Sequence, residues 1–207
     1  MFSFFKKYIL PEEIDFFEAM KIHSNAIKTI IIDLQKCFIY EDKEACLKVL
    51  NDEVNSKEIK KQNMKKLLST FITPVDRESI YRVTTQLDWI AISTRHLILE
   101  VNSYKIETLK EYNLLFQSLV EMAQTLYLGF VSLQKKDVED VDMRCENIRD
   151  MYDKAVKEYI LYMSELAKQS NINKIFTHQQ VLFQLKDIAK HFHLCANSLE
   201  DIVAKVV

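Results

Sequence analysis

Glu146 and Asp150 are the residues of this sequence best placed for chemistry. In Glu146-Asn147-Ile148-Arg149-Asp150 two carboxylates stand four residues apart. Residues i and i+4 share a helix face, so the pair could hold one hard or transition-metal cation between them. The same spacing also describes two solvated surface charges. The histidines, His23, His96, His178, His191 and His193, offer less: only the last two are close, and two residues apart on a helix they point in different directions. Cys37, Cys46, Cys145 and Cys195 have neither CxxC spacing nor a histidine cluster beside them, and read as small core residues in a reducing compartment. Glycine-rich phosphate loops, HExxH, GxSxG and the Glu-x-x-His pair of di-iron bundles are all missing, which removes most enzyme readings.

The elements that would carry these residues are helices. One glycine and two prolines in 207 residues leave almost nothing with which to build tight turns. With 48% hydrophobic and 28% charged residues the chain has material for a core and for a solvated surface. A formal net charge of -2 gives no electrostatic footprint for nucleic acid. The apolar start Met1-Phe2-Ser3-Phe4-Phe5 runs straight into Lys6 and Lys7, too short for a signal peptide or a membrane span. It suits an arm packed on the bundle or a foothold at a membrane surface. The expected location is cytoplasmic, with a peripheral membrane contact as the variant.

Six helical segments follow from caps, breakers and periodicity. Pro11 with Glu12 and Glu13 opens the first, which runs to Cys37 with Phe16, Met20, His23, Ile27, Ile30 and Leu34 facing inward. Asp42 caps the second, whose inward line is Leu47, Leu50, Val54, Lys57, Lys61, Met64, Leu68 and Phe71. Thr73 as cap and Pro74 as first-turn residue open the third, along Ile80, Val83, Leu87, Ile90 and Leu97. The fourth runs from Leu109 to Leu133 and holds Gly129, read as a point of close helix packing. A charged turn at 134–137 starts the fifth, and Asn171 and Asn173 mark the loop before the sixth. Short connections make sequential helices antiparallel. Any division into two bundles falls near 102–107.

Three stretches resemble the PhoU-like proteins, in the branch that accompanies Pit-type inorganic-phosphate permeases. They are Met1-Phe2-Ser3-Phe4-Phe5-Lys6-Lys7, the central Phe71-Ile72-Thr73-Pro74-Val75-Asp76-Arg77-Glu78-Ser79-Ile80-Tyr81, and the ending Ala196-Asn197-Ser198-Leu199-Glu200-Asp201-Ile202-Val203. The central stretch is the most specific, and the resemblance covers nearly the whole chain. It implies an all-α fold of six long antiparallel helices as two related three-helix bundles, within a single domain over 1–207. An internal repeat would cover about 11–104 and 105–207. It also implies acidic i,i+4 motifs that bind metal on two helices of each bundle.

Laid onto this chain, those motif positions fall at Glu53 with Lys57, Asp88 with Ile92, Glu146 with Asp150, and Lys186 with Lys190. Three of the eight are lysines, which cannot ligate metal while protonated. The expectation is that ammonium groups stand in for metal charge. Lys186 and Lys190 would face Glu146 and Asp150 across helices, and Lys57 would pair with Glu53. A second reading has Lys57 and Lys61 snorkelling from the seam. No cofactor is expected; were metal retained, Fe, Zn, Ni or Mg would sit at Glu146 and Asp150.

The function implied is that of a non-enzymatic cytoplasmic accessory or regulatory protein of inorganic phosphate transport. It would act by binding an inner-membrane phosphate permease or its associated regulators. The alternative is a helical adaptor or structural bundle unrelated to phosphate, as a homodimer held through Tyr104, Tyr112 and Tyr127.

Overall fold

The computed structural model describes residues 14–206. Among them six α-helices make up nearly the whole chain: α1 (Phe16–Ile39), α2 (Lys43–Ser69), α3 (Arg77–Tyr104), α4 (Asn113–Gln134), α5 (Val138–Leu166) and α6 (Ile172–Val206). A 3-10 turn, Lys110–Tyr112, leads into α4. The amino-terminal stretch 1–7 and Pro11, Glu12 and Glu13 lie outside the described residues.

α1, α2 and α3 pack on one another, as do α4, α5 and α6, and the two sets join where α1 meets α4 and α3 meets α6. This is the expected all-α architecture. α2 and α5 are left at the two outer edges. α4 sits centrally, with Phe116, Leu119, Met122, Leu126 and Phe130 almost fully buried. The stretch Lys110–Lys135 is long and apolar enough to cross a membrane, but half of its most apolar window is buried inside the bundle, the pattern of a core helix. Gly129 lies on its buried face, where an added Cβ would come within 2.9 Å of the Leu199 side chain of α6. The close-packing reading of that glycine holds.

Aspartates start four of the helices. Asp15, Asp42, Asp76 and Asp137 each accept a backbone N–H from the first turn that follows. Asp42 was expected. The third helix differs from expectation: its cap is Asp76, in extended conformation, so Pro74 lies in the preceding loop, where Thr73 Oγ1 donates to Val75 O. Arg77 closes that loop by donating to the carbonyls of Leu67 and Thr70. The first helix likewise starts at Phe16, after Asp15. With the one glycine used in α4, three corners take left-handed backbone at Glu41, Lys105 and Lys136.

The larger correction concerns α2. Its buried face is Ala45, Val49, Glu53, Ser56, Asn63 and Leu67, not the expected line from Leu47 to Phe71. Leu47, Val54, Leu68 and Phe71 are exposed, Phe71 almost completely at 98%. Both lines step by threes and fours along one helix. The apolar residues of α2 are divided between two faces, and interior partners for Glu53 and Ser56 favour the face that turns inward.

The cysteines are corrected in part. Cys37 and Cys46 form a disulfide that ties the end of α1 to the start of α2, so they are not the reduced pair expected. Cys145 and Cys195 are free and buried as expected; burial pushes the Cys145 thiol up to about 12 and that of Cys195 well above its ordinary value.

Candidate functional site

The first bundle holds its polar chemistry on the inward face of α2. His23 of α1 is fully buried and its Nε2 lies 3.0 Å from Ser56 Oγ. Burial, then the nearby Lys60 ammonium, lowers the His23 pKa to about 4, so the ring is neutral at ordinary pH. One turn along α2, Lys60 Nζ lies 2.5 Å from Asp88 Oδ2 of α3, a carboxylate that is only 4% exposed. Farther up the same seam Arg95 of α3 reaches Glu53, also buried, with Nε 3.5 Å from Oε1. Glu53 and Asp88 are thus brought to one interface, each with a cation from the opposite helix.

The cations differ from those expected. Lys57 is exposed and makes no ion pair with Glu53 among the described residues; Arg95 of α3 takes the place expected for it. In the second bundle Glu146 and Asp150 lie exposed on α5, and neither Lys186 nor Lys190 pairs with them among the described residues. Lys186 sits over the Tyr159 ring, its Nζ 4.2 Å from the centroid, while Lys190 is exposed. The helix rotation that buries Cys145 and Ile148 turns Glu146 and Asp150 outward.

The fit of these positions to a metal ion can be judged from the donors. Glu53 and Asp88 already hold Arg95 and Lys60, and Glu146 and Asp150 stand in solvent. Among the described residues no three of His, Cys, Asp and Glu come together as a ligand set. The residues present do not fit the implied metal. Of the other histidines, His191 stacks on Trp89 of α3 and His193 on Tyr152 of α5, on different sides of α6.

A second polar cluster joins the bundles at one end. Asp76 accepts the Ser79 backbone N–H, Ser79 Oγ donates to Asp201 at 2.7 Å, and Lys205 Nζ lies 2.8 Å from Asp76 and 2.9 Å from Asp201. The Lys205 hydrogen bonds hold both carboxyls below the usual carboxylate range. The central and terminal stretches that carry the sequence resemblance therefore touch.

At the other end a cleft of about 380 Å³ lies between the α3–α4 connection and the start of α6. Beside it the buried Tyr112 hydroxyl bonds His178 Nδ1 at 2.8 Å, and Glu111 stands 3.2 Å from the same nitrogen. The tyrosines considered for a dimer contact are engaged within the chain: Tyr112 is buried, Tyr104 meets Phe176 edge-on, and Lys28 covers Tyr127.

Sequence reasoning missed Lys60, Arg95 and the His23–Ser56 contact. Their signal was the alternative line Val49, Glu53, Ser56, Lys60, Asn63, Leu67, which has helical spacing and apolar ends but a polar middle.

The architecture is the PhoU-like all-α fold. Two crystal structures from Shewanella oneidensis share it: a PhoU-like protein at TM-score 0.76 and 13% identity, covering 92% of this chain and all of that one, and a second described as a PhoU-like phosphate regulatory protein, at TM-score 0.77 and 13% identity, covering 93% and all. The chain is also 22% identical over 169 residues to the UPF0111 protein YkaA of Bacillus subtilis, covering 78% of this chain and 82% of that protein. No protein-family model matches the sequence.

Proposed function

We propose that this protein is a non-enzymatic regulator of inorganic phosphate transport, of the branch that accompanies Pit-type permeases. It acts from the cytoplasmic side by binding an inner-membrane phosphate permease or its associated regulators. The observation that carries this reading is the PhoU-like fold over nearly the whole described chain, shared with a protein described as a phosphate regulator. The contact between Ser79 and Asp201 supports it, since it joins the two stretches on which the branch resemblance rests. The two helix triplets, each internally packed and joined through matching pairs, support an internal repeat over about 11–104 and 105–207. Lys60 and Arg95 at the implied metal positions support action without bound metal.

The test is phosphate uptake in a strain lacking the protein, together with co-purification of the tagged protein from solubilised membranes. Altered uptake, restored by the intact gene, with a phosphate permease among the captured proteins, is the expected outcome. Unchanged uptake with no permease captured would refute the proposal. Metal analysis of protein purified without chelator should find less than stoichiometric Fe, Zn, Ni or Mg.

A further inference from the structure

The outward face of α2 carries two properties that seldom coincide on a solvated helix. Toward its end Leu68 is 81% exposed, and in the loop beyond it Phe71 and Ile72 are 98% and 82% exposed. These three large apolar side chains fall within five consecutive residues. The loop that presents them is fixed, because Arg77 ties the Leu67 and Thr70 carbonyls to the start of α3. Along the same face Lys57, Lys61 and Lys65 follow at helical spacing, all exposed. Over residues 57–72 the sequence has five lysines and one glutamate, in a chain whose net charge is -2. Lys60 alone of the five turns inward, to Asp88.

We infer that this edge is a docking face for an anionic lipid surface, with Leu68, Phe71 and Ile72 entering the headgroup boundary and the lysines against lipid phosphates. Interfacial anchoring combines apolar insertion with attraction to anionic lipid; α2 supplies the lysines and Leu68, and the loop that follows it supplies Phe71 and Ile72. α2 packs on α1 and α3 and lies at the margin of the six-helix body, so a planar surface can approach it along its length. Charge selects the lipid surface over a second copy of the chain: two such faces in contact would set lysines against lysines. The inference does not depend on the phosphate reading, since vesicle binding requires no permease.

The experiment is co-sedimentation of the full chain with vesicles of phosphatidylcholine mixed with phosphatidylglycerol, and with phosphatidylcholine alone. Binding is expected to the anionic vesicles and to weaken as salt rises from about 0.1 M to about 0.5 M. The Phe71→Ser/Ile72→Ser double variant and the Lys61→Glu/Lys65→Glu double variant should each lose about tenfold in partitioning. Their circular dichroism should be unchanged, because all four side chains are exposed. Leu161→Ser, an exposed substitution on α5 at the other edge, should bind as the parent does. Absence of binding, equal binding to both vesicle types, or binding that survives the α2 changes and falls instead with Phe4→Ser/Phe5→Ser would each overturn the inference.

Discussion

Ser79 and Asp201, 122 residues apart in sequence, share a 2.7 Å hydrogen bond that joins the first turn of α3 to the end of α6. Ser79 is fully buried, and its backbone N–H is taken by the Asp76 cap, so one residue serves both the helix start and the contact between bundles. Ser79→Ala should therefore lower unfolding free energy by about 1–2 kcal/mol in urea titration. Ser79→Thr retains the hydroxyl and should recover part of that loss. No change in the alanine variant would show that Lys205 alone holds the corner.

The Lys60–Asp88 pair should break asymmetrically. Asp88 is 6% exposed at its side chain, whereas Lys60 is 32% exposed and can turn to water. Lys60→Met leaves a buried carboxylate without its cation and should cost about 3 kcal/mol; Asp88→Asn leaves an ammonium with an escape route and should cost about 1 kcal/mol. Equal losses in thermal or urea unfolding would contradict this account.

His23 makes stability depend on pH. Its folded pKa, about 4, lies below the unfolded value of 6.5, so between these values the unfolded chain binds more protons than the folded one. Stability should fall as pH drops from 6.5 toward 4, by up to about 3 kcal/mol from this residue, and level off below. His178, His191 and His193 are shifted downward as well, mainly by burial, and act in the same direction. The measurement is therefore a difference: His23→Gln should flatten the slope of unfolding free energy against pH in that window. An unchanged slope would assign the dependence to the other histidines.

Cys37 and Cys46 should appear as a covalent pair. Thiol titration of the denatured, unreduced protein should find two of the four cysteines, and four would show the bridge unformed. Reduction removes a short-loop crosslink from the unfolded chain, worth roughly 2–3 kcal/mol. Cys46→Ser is the cleaner variant because Cys46 is only half-buried, and reductant should then have no further effect on its melting temperature.

Composition and periodicity made the helical architecture legible, because a chain with one glycine and strongly patterned segments has few alternatives. α1 and α3 were read on their correct faces, since their apolar lines have no rival. α2 was misread because Leu47, Val54 and Leu68 form a line as regular as Val49, Ser56 and Leu67, and the choice depends on what α1 and α3 offer in return. The same gap hid the cations. Glu53 and Asp88 were placed at the candidate site by resemblance, but Lys60 and Arg95 become their partners only once α2 and α3 are set side by side. Glu146 and Asp150 share a helix face as expected, yet one-dimensional spacing does not say whether that face meets a neighbour.

The inward face of α2 has a further consequence for motion. α4 is held by closely packed Phe, Leu and Met side chains, whereas the middle of α2 is held by contacts of Glu53, Ser56 and Lys60. Polar contacts of this kind are exchanged for water at little net cost when a helix lifts away, while buried apolar area is not. The central amides of α2 should accordingly trade hydrogen for deuterium well ahead of those of α4, marking α2 as the unit of the bundle that opens by itself.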